Sequence, residues 1–152
     1  MTEWIVRPVA EEDRPSWAAL FAAYRDFYEL DEGDAVVDTV WDWLMDDGHE
    51  VRALVAAHPA NGDLVGIAHY RTFARPSTGA SGIFLDDLFT APAARLQGVG
   101  RALIDGVSAV AAREGATKVR WLTAPGNATA RRLYDSVASV RWVVYDLEPA
   151  EG

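Results

Sequence analysis

The chain has 152 residues, half of them hydrophobic, with no cysteine, three histidines and a formal net charge of -9. That size suits one domain, 1–152, with a substantial core, and the missing thiols exclude a disulfide framework and a thiolate metal site. The negative balance argues against general binding to nucleic-acid phosphates and favours cationic partners. His49, His58 and His69 show no metal-type spacing, so no metal is expected. "MTEWIVRPVA" carries charges and lacks an apolar run, and no segment reaches transmembrane length. The expectation is a cytoplasmic protein with neither signal peptide nor membrane anchor.

"EWIVRPV" reads as a first strand ending near Pro8. From Glu11 to Leu30, Trp17, Leu20, Phe21, Tyr24, Phe27 and Tyr28 recur at three- and four-residue spacing, which predicts a helix with Pro15 tolerated in its first turn. A second helix is predicted over Asp34 to Asp47, with Val37, Val40, Trp41 and Leu44 on one stripe and Asp38, Asp42 and Asp46 on another. "EVRALVAAH", "GDLVGIAHYRTFAR" and "ASGIFLDDLFTAP", separated by "PANGD" and "PSTG", predict three strands in a meander. Arg95 to Glu114 predicts a helix closed by Gly115. "KVRWLTA" reads as a strand, "GNATARRLYDSVA" as a short helix, and "VRWVVYDLE" as a last strand, with Trp121 and Trp142 as core. The order is β-α-α-β-β-β-α-β-α-β, an α/β (α+β) pattern with a mixed sheet and helices against it.

The turn bearing Gly98 and Gly100 lies between a strand and a helix. Backbone N–H groups and the positive end of a helix dipole there suit an anion, and glycine lets it approach. "GVGRAL" lacks the third small residue of a dinucleotide fingerprint, and a Walker loop needs Lys and Ser/Thr where Arg101 and Ala102 stand. Alone, the two glycines also fit a plain tight connection. The wider segment "LDDLFTAPAARLQGVGRALI" resembles the acyl-CoA-binding segment of the GNAT superfamily of N-acetyltransferases, with Arg95-Leu96-Gln97-Gly98-Val99-Gly100 as its signature. Asn127, Ala130, Leu133 and Tyr134 resemble the second signature at the family distance. Two positions depart from the pattern: Leu96 stands where Gly is common, and Ala138 where a helix-ending Gly is usual.

The resemblance implies a single domain with a mixed, mostly antiparallel central sheet and helices on both faces. It implies that the anion is the pyrophosphate of coenzyme A, held around Arg95 to Arg101 and Ala102, with Arg95 and Arg101 as phosphate contacts. Acetyl transfer from a thioester needs a neutral amine, whose ammonium form has a pKa of about 10. It also needs an N–H donor for the oxyanion and a proton source for the leaving thiolate. By resemblance, Tyr134 is the general acid toward sulfur, and a splayed or bulged strand at Leu88, Phe89 and Thr90 exposes backbone to the thioester and pantetheine. "FLDDLF" is similar to the acidic pair of small polyamine and histone acetyltransferases; Asp86 is the expected base, directly or through water, and Asp87 an amine contact. Strand alternation lets one of the pair face the channel at a time; a salt-bridged strand end is the plainer reading. His69 is read as a packed or surface histidine, and Arg131 and Arg132 as charge balance.

From Asp26 to Glu50 there are ten acidic residues and no Lys or Arg, interleaved with Tyr28, Trp41 and Trp43. In the resembled family the first two helices cover the acceptor side, so Tyr24, Asp26, Tyr28 and Glu29 are candidate contacts for a polyamine, diamine or basic peptide. Asp38, Asp42 and Asp46 equally fit a solvated helix face. Other acceptors within the enzyme class are amino acids, an aminoglycoside, or a protein N-terminus or lysine. Outside it stand an acyl-CoA sensor module and a purely structural interaction domain. Dimerisation, common in the resembled family through late strands, would make "SVRWVVYDLE" the homodimer edge.

Overall fold

The computed structural model describes residues 2–31 and 33–152. Glu32, one of the acidic run, lies outside them. The chain forms two compact units, Met1–Leu122 and Thr123–Gly152. The first unit contains β1 (Ile5–Pro8), α1 (Arg14–Phe27), α2 (Asp34–Met45), β2 (Arg52–Ala57), β3 (Leu64–Arg75), β4 (Ala80–Thr90), α3 (Val99–Glu114) and β5 (Val119–Trp121). Strand order is β1-β2-β3-β4-β5, antiparallel except for the parallel β4–β5 pair. The second unit holds α4 (Ala128–Val137).

The spacing of apolar residues decides which face each helix buries. Trp17, Leu20 and Phe21 of α1 and Val40 and Trp41 of α2 pack with Val55, Ile67 and Phe89 of the sheet. Strand side chains alternate faces, so the neighbours Leu54 and Gly66 point the other way, onto α3. A Cβ on Gly66 would lie 2.7 Å from Val99 Cγ1 and 3.0 Å from Leu103 Cδ1. That close approach seats the first turn of α3 directly against β3.

Some boundaries and the last expected strand differ from expectation: α1 ends at Phe27, α2 at Met45, and β5 is only Val119–Trp121. Glu11–Asp13 is a single 3-10 turn and α1 begins at Arg14, because the Asp13 carboxylate accepts from the Ala10 N–H at 2.7 Å and from Arg7 at 2.6 and 2.8 Å. α3 begins at Val99 rather than Arg95, since Pro92–Ala94 forms its own 3-10 turn and Leu96 and Gly98 are left-handed. Residues 139–148 form no strand. A strand is realised only against a hydrogen-bonding neighbour, and the sheet among the described residues ends at β5. Trp142, expected in the core, is 70% exposed there.

The hydrogen bond from Arg7 holds the Asp13 carboxyl below its ordinary value, against the opposing effect of burial. A depressed carboxyl stabilises above its unfolded value, 3.8, and that contribution is lost as pH falls through the native one. Asp13→Ala is expected to cost about 1–3 kcal/mol at neutral pH, by stranding the Ala10 N–H and Arg7. Urea denaturation at descending pH should show the gap to the native protein closing once Asp13 is protonated.

Candidate active site

The glycine turn is strained where it matters. Leu96 has φ 60 and Gly98 φ 85, both in the left-handed region that glycine adopts at little cost. The Leu96 side chain is almost wholly exposed, so the residue departs from the glycine pattern while keeping glycine's conformation. The Trp4 indole N–H donates to Gln97 O at 2.8 Å and anchors the loop. The first α3 bond runs from Ala102 N–H to Gly98 O, so the N–H groups of Val99, Gly100 and Arg101 head the helix outside its ladder. Beyond its two chain neighbours, no atom of the described residues lies within 4 Å of where a Gly98 Cβ would stand. This open, donor-rich turn fits a phosphate group. Arg95 lies over the Phe27 and Phe89 rings, at 5.4 and 5.6 Å, and donates to Thr90 O, while Arg101 pairs with Asp105 at 3.3 Å.

β4 carries the second part. His69 pairs with Asp87 and Tyr70 with Leu85, leaving Asp86 as the extra residue of a bulge. Parallel pairing with β5 covers Ile83 to Leu85 only, so beyond the bulge Leu88, Phe89 and Thr90 continue on β3 alone. The irregularity thus lies upstream of those three residues. It also breaks the strand alternation: Asp86 and Asp87 line the same cleft of about 350 Å³, with Val40, Trp43, His49, Glu50, Val51, His69 and Arg71.

The two carboxylates differ in their partners. Asp86 is paired with Arg71, Nε to Oδ2 at 3.0 Å, yet burial outweighs that pairing and pushes its carboxyl above the ordinary value. Asp87 accepts from Tyr24 OH at 2.8 Å through Oδ1 and meets His69 Nδ1 at 2.9 Å through Oδ2. Burial pushes the Asp87 carboxyl up, but the hydrogen bonds from His69 and Tyr24 prevail and hold it below the ordinary value. The Tyr24 hydroxyl is pushed well up by burial and by Asp87. Behind His69, the Trp17 indole nitrogen stands 2.9 Å from Nε2.

Of the rim residues, Tyr24 reaches the cleft through Asp87, and its ring meets that of Tyr28 at a tilt, centroids 4.9 Å apart. Asp26, Tyr28 and Glu29 do not line the cleft; Glu50 does. Asp38 pairs with Arg14, and Asp46 caps the Gly48 N–H, as a solvated helix face would. Trp43 and His49 stack at 4.7 Å and wall the cleft. His69, Trp17 and Arg71 are functional candidates the sequence reading passed over. The signal available was parity: His69 shares a strand face with Ile67, and a buried imidazole needs partners for its nitrogens.

In the second unit, Asn127 caps α4 by accepting from Ala130 N–H at 3.4 Å. Leu133 and Tyr134 are half-buried on that helix. α4 ends with Ala138 extended, φ -147, rather than in a left-handed cap, the local consequence of lacking glycine there. Among the described residues, no group of three or more His, Cys, Asp or Glu is arranged to hold a metal ion, and no helix is long and apolar enough to cross a membrane.

Known proteins share the sequence pattern and the fold of this chain. The chain is 28% identical over 134 residues to the D-amino-acid N-acetyltransferase HPA3 of Saccharomyces cerevisiae, covering 88% of this chain and 83% of that protein. It is 31% identical over 135 residues to the uncharacterized N-acetyltransferase YhfO of Bacillus subtilis, covering 86% and 85%. The crystal structure of a probable acetyltransferase superposes with a TM-score of 0.86 at 20% identity, over 97% of this chain and 99% of that one. The model described as acetyltransferase (GNAT) family matches residues 17–138, and the chain belongs to that family.

Proposed function

We propose that the protein transfers an acetyl group from acetyl-CoA to a small primary amine that carries positive charge, a polyamine or diamine, or to a basic peptide. The cleft carries the reading: Asp87, bonded to Tyr24 and His69, and Glu50 line it without a Lys or Arg partner, while Trp43 and His49 offer a flat wall for an alkyl chain. The family match spans both units, and we treat them as one transferase domain. Acetyl-CoA supplies an activated acyl group when bound. Leu96, Gln97, Gly98, Val99, Gly100 and Ala102 would cradle the pyrophosphate through the backbone, with Arg95 and Arg101 turning toward it. Leu88, Phe89 and Thr90 would lie beside pantetheine, and Asn127, Ala130 and Leu133 would shape the α4 side. Asp87 receives the ammonium, Asp86 takes the proton directly or through water, and Tyr134 gives a proton to the departing sulfur. A cytoplasmic homodimer joined through residues 139–148 belongs to the same reading.

A second reading is favoured by one relative, HPA3, named for D-amino acids. In an amino-acid enzyme Arg71 would meet the substrate carboxylate and release Asp86.

The test is CoA-thiol release from acetyl-CoA over polyamines, basic peptides, D- and L-amino acids and aminoglycosides at low and moderate salt. Salt-sensitive turnover of a polyamine or basic peptide is the expected result. Turnover confined to amino acids would replace it with the second reading, and acetyl-CoA binding without release on any acceptor would point to a sensor.

A further inference from the structure

Trp17, His69 and Asp87 form a line from the core to the cleft. Trp17 is fully buried and His69 is 1% exposed. An indole N–H only donates, so His69 Nε2, 2.9 Å away, is the acceptor and carries no hydrogen. The imidazole proton then sits on Nδ1 and donates to Asp87 Oδ2. An imidazolium would turn a second N–H toward the indole N–H, two donors facing each other. The ring is therefore a neutral donor. It orients Asp87 without cancelling its charge, whereas Arg71 does cancel that of Asp86 in the same cleft.

Each Asp87 oxygen takes one hydrogen bond from behind, Oδ1 from Tyr24 and Oδ2 from His69. A carboxylate has about four lone-pair sites, so each oxygen keeps one for the cleft. The groups around His69 fit this division. α1 contributes Tyr24, with Arg25 acting on Asp87 at longer range; β4 contributes Asp86 and Asp87; β3 contributes Arg71; and His49 and Glu50 line the same cleft.

We propose that Trp17 and His69 are positioning residues that keep Asp87 oriented and its charge uncompensated, making it the receptor for the acceptor's ammonium group. The inference rests on the cationic-acceptor reading above and adds the residues that maintain the site.

Two measurements test it. In protein labelled with 15N-histidine, with His69→Gln used for assignment, the His69 nitrogens should report the neutral Nδ1–H tautomer at neutral pH. An Nε2–H tautomer or an imidazolium overturns the proposal. In Trp17→Phe, Nε2 no longer faces an N–H and is free to take a proton in acid. KM for 1,4-diaminobutane, relative to the native enzyme at the same pH, should then rise about tenfold from pH 8 to pH 6, with kcat little changed. Gln cannot become a cation but still offers an N–H to Asp87, so adding His69→Gln to Trp17→Phe should abolish that extra rise. A rise of equal size in the double variant, or no rise in Trp17→Phe, overturns the proposal. His69→Gln alone covers the case in which Trp17→Phe does not fold: it should keep KM within about threefold of native, while His69→Leu, which removes the N–H, raises it about tenfold; equal KM values for the two overturn it. Failure of the native enzyme to acetylate the diamine would overturn the cationic-acceptor reading itself, and the nitrogen spectrum would still decide the Trp17–His69–Asp87 arrangement.

Discussion

Tyr134→Phe is expected to lower kcat by about 10²–10³-fold while leaving acetyl-CoA affinity within about twofold. The departing thiolate, with a pKa near 8.5 by analogy with cysteine, gains from a proton delivered as the carbon–sulfur bond breaks, and a phenol with a pKa of about 10 holds its proton at neutral pH for that purpose. Phenylalanine keeps the ring and its packing on α4, so the loss belongs to the hydroxyl. Steady-state kinetics beside calorimetric acetyl-CoA titration separates the outcomes. A loss confined to kcat supports the acid. A matching loss of acetyl-CoA affinity would make Tyr134 a binding group, and an unchanged kcat would take the role away from it.

The second large effect is at Asp87. Asp87→Ala is expected to raise KM for a cationic amine by about 10- to 100-fold, the worth of a charge-assisted hydrogen bond in a partly desolvated site. It should also destabilise the fold by about 1–3 kcal/mol, because the His69 Nδ1–H and Tyr24 OH lose their shared acceptor. The Asp87 carboxyl is depressed, so its stabilising contribution is present above the unfolded value of 3.8 and is lost as pH falls through the native one. Native protein and variant should therefore converge in urea stability at acid pH and separate as pH rises. Asp87→Asn sharpens the measurement: one amide oxygen can satisfy one donor, while its NH2 faces the other, so most of both losses should persist. Equal KM in all three proteins would move the ammonium site to Glu50 or Asp86.

Much of this was legible from residue patterns. The stripe of Trp17, Leu20, Phe21 and Tyr24 gives α1 its period, and Val40 with Trp41 gives α2 its buried edge. "PANGD" and "PSTG" mark where the antiparallel strands turn, and the glycine turn with its two motifs carries the family. The acidic pair could be named, but not its geometry. That both Asp86 and Asp87 reach the cleft depends on the extra residue of β4 opposite the step from His69 to Tyr70, and that step is a property of the β3–β4 ladder.

By itself, then, the sequence determined the types and order of the elements as far as α4 and the place of the glycine turn, because periodicity, turn chemistry and glycine content act over a few neighbouring residues. Tertiary structure decided the rest. Trp17 and His69 lie 52 residues apart and meet only because α1 packs across β3. Asp87 acquires its partners from α1 and β3 together. The apolar run 139–148 has a strand's composition, but a strand needs a second backbone to bond with, and composition cannot provide one.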